Sequence, residues 1–385
     1  MFGKPVQYRL RIRPVESEGS EFSLRTFFGS RMPLSAVTKP DTDPTRIFER
    51  CRDFYSTELL AVASVDFNLF GRLAERPKSF AELRAEIGLS ERSANVLITA
   101  MRAMELLVLS ADGKLDLTRA VREHLVPGAY FDVGGYIGLV SESPGVRAMA
   151  ERLTTNKPAG NRKDEEGASY IFREGMESAM DREASARRLT LALAGRAKNC
   201  APFLAENVPL QNANVLLDVG GGSGIYAIAC LQKNPKLRAI IWDRPEVLKI
   251  AQEMAEAYGV TDRLEMRPGD MFADPVPADC DVVLLPNILH DWDVPECRTL
   301  VNRCADALPT GGRLLVHDVF LNDDLGGPLS IALYSASLFS LTEGRAYSAA
   351  EYGSWLKEAS LTVSGSVVPT AVHCGVLEGR KMPPK

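Results

Sequence analysis

Histidine is scarce in this chain, with four in 385 residues, so a histidine at a strand end asks for a reason. The seven cysteines (Cys51, Cys200, Cys230, Cys280, Cys297, Cys304 and Cys374) are scattered, odd in number and never spaced C-x-x-C. That pattern excludes a disulfide framework or a zinc site and reads as reduced thiols in a cytoplasmic protein. No apolar run approaches the roughly 20 residues of a membrane span. The start, "MFGKPVQYRLRIRP", lacks the uninterrupted apolar core of a signal peptide. Positive charge is not in excess: 45 Lys and Arg stand against 50 Asp and Glu, which weakens any case for nucleic acid. There is no G-x-G-x-x-G to house a pyrophosphate, and no glycine loop ends in Lys-Ser/Thr to meet a triphosphate.

What is present divides by periodicity. Residues 1–40 begin with a strand-like alternation, Val6, Tyr8, Leu10 and Ile12 against polar neighbours, and read as a loosely attached extension. From about 41 to 168 apolar residues recur at helical steps. "SFAELRAEIGLSERSANVLITAMRAMELL" reads as a helix over Ala81–Ile87, a turn at Gly88 and a second helix capped by Ser90. "VLSADGKLDLT" follows as a hairpin turning at Asp112-Gly113, completing a winged helix. The second helix carries Glu91, Arg92, Arg102 and Glu105, too balanced for a reader of DNA, so a structural or dimerising module is the better reading. Residues 169–206 read as joining helices. From 207 to 385 apolar strands alternate with helices, which implies a parallel sheet covered on both faces.

The first of these strands runs into glycines, "LLDVGGGSGIYAIA". In such a sheet ligands bind at the carboxyl ends of the strands. Gly220 and Gly222 let a backbone approach a ligand closely, behind Asp218. The next strand ends at Asp243 in "IIWDRPEV", where a carboxylate accepts both hydroxyls of a ribose. The third ends in "PGDMF", offering Asp270 to an exocyclic amine and Met271 with Phe272 as a bed for a ring. These parts make a nucleoside site without phosphate apparatus, which S-adenosylmethionine fits best.

The fourth strand ends in "LLPNILHDWDVPE", placing His290 between apolar residues and two carboxylates. Asp291 reads as the cap of the helix beginning near Val294. His317 and Asp318, in "LLVHDVF", also suggest metal ligands. Adjacent strand residues point to opposite faces, however, so the two do not share a site and no metal is expected.

Together "LLDVGGGSG", "IIWDRPEV", "PGDMF", "ILHDWDVPEC" and "TEGRAYSAAEYGSWLKEASL" resemble the small-molecule O-methyltransferases of the caffeate and acetylserotonin type, over about residues 41–385. The resemblance implies a Rossmann-like methyltransferase domain with a mostly parallel seven-stranded sheet, preceded by a mainly α winged-helix dimerisation domain. It implies that Gly220 and Gly222 line S-adenosylmethionine, Asp243 holds its ribose, and Asp270 with Met271 its adenine. In "YIFREGMESAM" it implies that Phe172 and Met176 border cofactor and acceptor. It makes His290 the general base and Asp318 the acid that orients it. The chain departs from the family at Ala346, where relatives often carry a second orienting Glu, and at Pro286, where many carry Lys. The second orienting carboxylate is then missing, or is replaced by Glu343 or Tyr347.

The expected activity is methyl transfer to a hydroxyl of a small, aromatic metabolite, of the kind met in secondary metabolism. The expected pocket lining is Phe131, Tyr136, Met176, Met180, Leu338 and Phe339. The apolar segment "TRIFERCRDFYSTELLAVASVDF" suggests burial against a second copy of the chain. Carbon methylation of an enol or ring carbon is one alternative. A cofactor-binding protein that has lost catalysis is the other.

Overall fold

Apolar residues at three- and four-residue steps build the first part of the fold. In the computed structural model, which describes residues 33–157, 183–363 and 365–383, these become α1 (Thr45–Arg52), α2 (Ser56–Ala61), α3 (Leu69–Glu75), α4 (Phe80–Ile87) and α5 (Glu91–Ala103). A hairpin of β1 (Leu107–Leu109) and β2 (Leu115–Leu117) follows, then α6 (Arg119–His124), α7 (Gly134–Ile137) and α8 (Pro144–Thr155). The local chemistry is as expected. Ser79 and Glu82 form a reciprocal capping box on α4, an arrangement whose loss costs about 1 kcal/mol. Gly88 ends α4 at φ +69°, and the Ser90 hydroxyl accepts the Ser93 N–H to start α5. The hairpin closes through Ser110 N–H to Lys114 O. The winged helix is therefore present. Two of the arginines of α5 are turned inward: Arg92 bonds Asn156 and stacks on Phe339, and Arg102 pairs with Asp324. Neither is offered to a nucleic acid backbone.

The second part begins with α9 (Glu183–Asn207) and alternates: β3 (Val215–Val219), α10 (Ile225–Lys233), β4 (Arg238–Asp243), α11 (Pro245–Tyr258), β5 (Leu264–Pro268), β6 (Val282–Pro286), α12 (Val294–Ala307) and β7 (Arg313–Leu321). Next come α13 (Leu329–Leu341), β8 (Tyr347–Ser348), α14 (Ala349–Glu358), β9 (Leu361–Val363), β10 (Val368–Pro369) and β11 (Cys374–Lys381). The strand order is β10-β11-β7-β6-β3-β4-β5, with β8 beside β7 and β9 beside β11. This is the expected seven-strand path, with two short strands added. The strands β5-β4-β3-β6-β7 are parallel, and β11 is antiparallel to β7. The chain leaves β3 for β4 on one side and later returns with β6 on the other. The carboxyl ends of β3 and β6 therefore flank a crevice, the switch point at which open sheets bind ligands.

One core joins the helices of the first part, Leu59, Phe70, Leu97 and Met101 among them, to Leu333, Ala336 and Phe339 of α13. A second lies between the sheet and α12 with α14. Among the described residues no helix is long and apolar enough to cross a membrane.

Candidate active site

The glycine loop follows β3. Gly220 and Gly222 both take φ +60°, a left-handed conformation that a side chain would strain. A Cβ at Gly220 would come within 2.5 Å of the Ile288 Cδ1. The loop is pinned to the next strand: Gly220 N–H donates to Trp242 O, and Gly222 N–H donates to Asp243 Oδ2 at 2.9 Å. Asp243 Oδ1 accepts the Arg244 N–H at 2.7 Å. Asp243 is thus fixed at the end of β4, on the wall of a cavity that also includes Gly220, Gly222, Asp270, Met271 and Phe272. Asp270 Oδ1 holds its own turn by accepting the Phe272 N–H, which leaves Oδ2 for a ligand. Phe272 packs edge-on against Trp292, with centroids 4.5 Å apart.

These residues fit the nucleoside of S-adenosylmethionine. A carboxylate fixed against a side-chain-free loop, a second carboxylate and the apolar Met271 and Phe272 share one cavity wall. Asp218 does not join them. It is fully buried behind the loop, where a Cβ on Gly221 would meet its Cγ at 2.7 Å, and it is not on the cavity wall. Burial and the nearby Asp243 charge push its pKa up to about 8, only partly offset by the Ala227 N–H. Phe172, Met176 and Met180 lie outside the described residues.

His290 sits on a 3-10 turn, Leu289–Asp291, directly after β6. It is buried, and its Nδ1 lies 2.5 Å from Asp318 Oδ1. Asp318 is itself held by the Val319 N–H and by the Tyr352 hydroxyl, which donates to Oδ2 at 2.9 Å. Burial opposes ionisation of Asp318. The His290 charge and hydrogen bond, with those two donors, outweigh it and hold the carboxyl below its usual range. An ionised acceptor at Nδ1 fixes the proton there and leaves a lone pair on Nε2. The Nε2 is 3.6 Å from Asp291 Oδ1, and Asp291 lines the cavity. Burial pushes the Asp291 pKa up to about 6.

Three expectations fail here. Asp291 does not cap α12; Asp293 does, because its side chain meets the Val294 N–H and Asp291 lies within the 3-10 turn. Glu343 is not the second acid on His290. Its N–H bonds Asp291 O, while its carboxylate faces Arg92 at 3.7 Å. Tyr347 donates to Trp292 O instead. Of the expected pocket lining, Phe131 and Tyr136 are exposed, whereas Leu338 and Phe339 are buried away from the cavity wall. His317 points away from His290 as anticipated, with Nε2 on Thr370 Oγ1 at 3.0 Å. Among the described residues no cluster of His, Cys, Asp or Glu forms a metal site.

The sequence reading missed Arg196, Tyr334 and Gly344. Arg196, on α9, lines the cavity and donates to the Tyr334 hydroxyl at 3.0 Å. Tyr334 stands edge-on to His290, with centroids 6.0 Å apart. Gly344 brings its segment against the His290–Trp292 backbone, where any Cβ would collide.

Comparison with known proteins agrees with this geometry. Residues 165–362 match the model of the O-methyltransferase domain family. A 3-hydroxy-5-methyl-1-naphthoate 3-O-methyltransferase of Streptomyces sahachiroi is 34% identical over 82% of this chain and 89% of its own. An L-tyrosine C(3)-methyltransferase of Streptomyces lavendulae is 29% identical over 79% of this chain and 81% of its own. The crystal structure of an O-methyltransferase family 2 protein from Planctomyces limnophilus, in complex with apigenin, is 46% identical with a TM-score of 0.81. That match covers 91% of this chain and 99% of the other. The fold, the nucleoside cradle and these relatives agree: the chain belongs to the O-methyltransferase family and is an S-adenosylmethionine-dependent methyltransferase.

Proposed function

We propose that this enzyme methylates a hydroxyl of a small aromatic molecule, with His290 as general base. The observation that carries the reading is the Asp318–His290 pair, whose Nε2 lies just behind the cavity wall, 3.6 Å from the wall residue Asp291. When bound, S-adenosylmethionine supplies an electrophilic methyl group; Gly220, Gly222, Asp243, Asp270, Met271 and Phe272 hold its nucleoside. The acceptor hydroxyl gives its proton to His290 Nε2 as its oxygen takes the methyl. Asp318 stabilises the resulting imidazolium and keeps the ring's tautomer and orientation. Positioning supplies much of the remaining acceleration. One relative is named for an aromatic acceptor, a naphthoate, and another is solved in complex with apigenin. The test is mass spectrometry of phenolic acceptors incubated with methyl-labelled cofactor, with wild type and His290→Ala compared.

A second reading is carbon methylation. It is favoured by Ala346, whose buried N–H merely bonds Ser335 Oγ where the family often has an orienting acid, and by the tyrosine C(3)-methyltransferase relative. Locating the labelled methyl on carbon or oxygen separates the two.

We also read residues 41–168 as a dimerisation module and 207–385 as the cofactor-binding domain; the extension expected over 1–40 and the joining helices expected over 169–206 fall largely outside the described residues, apart from α9. The exposed apolar side chains of Ile47, Phe54, Tyr130, Tyr136 and Leu139 support a homodimer formed through the first of these.

A further inference from the structure

The methyl-transfer reading leaves one charged group of the cavity without a task. Arg196 projects from the middle of α9 into the cavity, beside Asp291 and the glycine loop. One guanidinium nitrogen donates to the Tyr334 hydroxyl at 3.0 Å, and the Nε is buried without a partner. Among the described residues no carboxylate lies within ion-pairing distance of it. A second guanidinium, Arg52, lies 4.7 Å over the Tyr334 ring, with one buried nitrogen also unpartnered. Of the negative charges nearby, Asp318 is committed to His290, and Asp291, raised by burial only to about 6, lies beyond ion-pairing distance of the guanidinium. A cationic, partly desolvated site is costly unless an anion completes it.

We propose that Arg196, on the cavity wall, and the Tyr334 hydroxyl behind it form a subsite for an anionic oxygen, a carboxylate. Two bound molecules could bring that group: an acceptor with a carboxylate beside its reacting hydroxyl, or the amino-acid end of the cofactor. A planar guanidinium suits either, since it meets a carboxylate with two parallel hydrogen bonds. Tyr334 links the subsite to the base, because its ring packs against His290 while its hydroxyl takes the Arg196 donor. An acceptor seated there by its carboxylate presents a neighbouring hydroxyl toward His290. This inference rests on the methyl-transfer reading and extends it to the class of group recognised.

Calorimetry on the full-length protein tests it with two ligand pairs. The first is S-adenosylhomocysteine against 5′-methylthioadenosine, which lacks the carboxylate. The second, with S-adenosylhomocysteine present, is 3-hydroxy-2-naphthoate against 2-naphthol. In Arg196→Gln the carboxylated member of one pair should lose about tenfold or more in affinity relative to its uncharged partner. Arg196→Lys should recover part of that loss. Selective loss in the first pair assigns the subsite to the cofactor, and in the second pair to the acceptor. Equal losses within both pairs, or none, overturn the inference and leave Arg196 a brace for Tyr334. A wild-type protein that binds none of the four ligands overturns the methyl-transfer reading and this inference together. Thermal melting of each variant identifies misfolded protein, and Tyr334→Phe, which keeps the guanidinium, then serves as the second variant. It should show the same selectivity at smaller size, and no selectivity in it counts against the subsite.

Discussion

The Nδ1 of His290 lies 2.5 Å from Asp318 Oδ1, and both groups are buried. The pair fixes which nitrogen of the ring is basic. His290→Ala should reduce turnover by roughly 10²–10⁴-fold, the usual worth of a positioned base. Affinity for S-adenosylhomocysteine by calorimetry should stay within about twofold, since the proposed role directs the imidazole to the acceptor. A full rate with the natural acceptor would remove His290 from the mechanism.

Asp318→Asn removes the negative charge that favours the imidazolium. It also removes the acceptor that holds the His290 Nδ1 proton at 2.5 Å. Turnover should therefore fall by roughly 10²–10⁴-fold, while calorimetric affinity for S-adenosylhomocysteine stays within about twofold. An unchanged rate would show that Asp318 does not govern His290.

Asp243→Asn should lower affinity for S-adenosylhomocysteine about tenfold or more, because charged hydrogen bonds contribute roughly 1.5–3 kcal/mol. The Asp243–Gly222 bond at 2.9 Å makes a second effect expected, a looser glycine loop. Calorimetry and melting temperature separate the two.

Asp218 should make stability depend on pH. Its folded pKa, about 8, lies above the roughly 3.9 of an unfolded aspartate. The folded protein therefore holds a proton that the unfolded chain has released, and stability falls as pH rises between those values. Asp218→Asn should flatten that slope, with a larger gain in Tm at pH 8.5 than at pH 5. Parallel Tm curves for variant and wild type would show that Asp218 ionises normally behind the loop.

Tyr130, Tyr136 and Leu139 are 93%, 78% and 77% exposed, more apolar surface than an isolated chain carries comfortably. Sedimentation should give twice the 42.1 kDa chain mass, and Tyr136→Asp with Leu139→Asp should restore the single mass. A wild-type monomer at micromolar concentration would refute the dimer.

The cofactor half of the site was legible because it depends on strand ends. A continuous apolar strand followed by glycine or aspartate announces a ligand loop, and Asp243 and Asp270 stand where that pattern put them. The acceptor half was less so. Arg196 lies within a 25-residue helix, where an arginine normally marks a solvated face, and only tertiary packing turns it inward. Asp291 and Asp293 flank one tryptophan, and sequence does not tell which precedes the first helical turn. Backbone settles it: Asp293 is extended, as a cap must be, and Asp291 is within a 3-10 turn. Glu343 misled for a related reason. Its main chain reaches the His290 turn while its side chain leaves for Arg92.

Helix α13 is a party wall. Leu333, Ala336 and Phe339 are set in the masonry of the N-terminal helices, and Tyr334, between them, is the fitting that looks into the room where His290 stands. Truncating Leu333 or Phe339 on the N-terminal side of the wall should therefore be felt at Tyr334 and, through its ring, at His290.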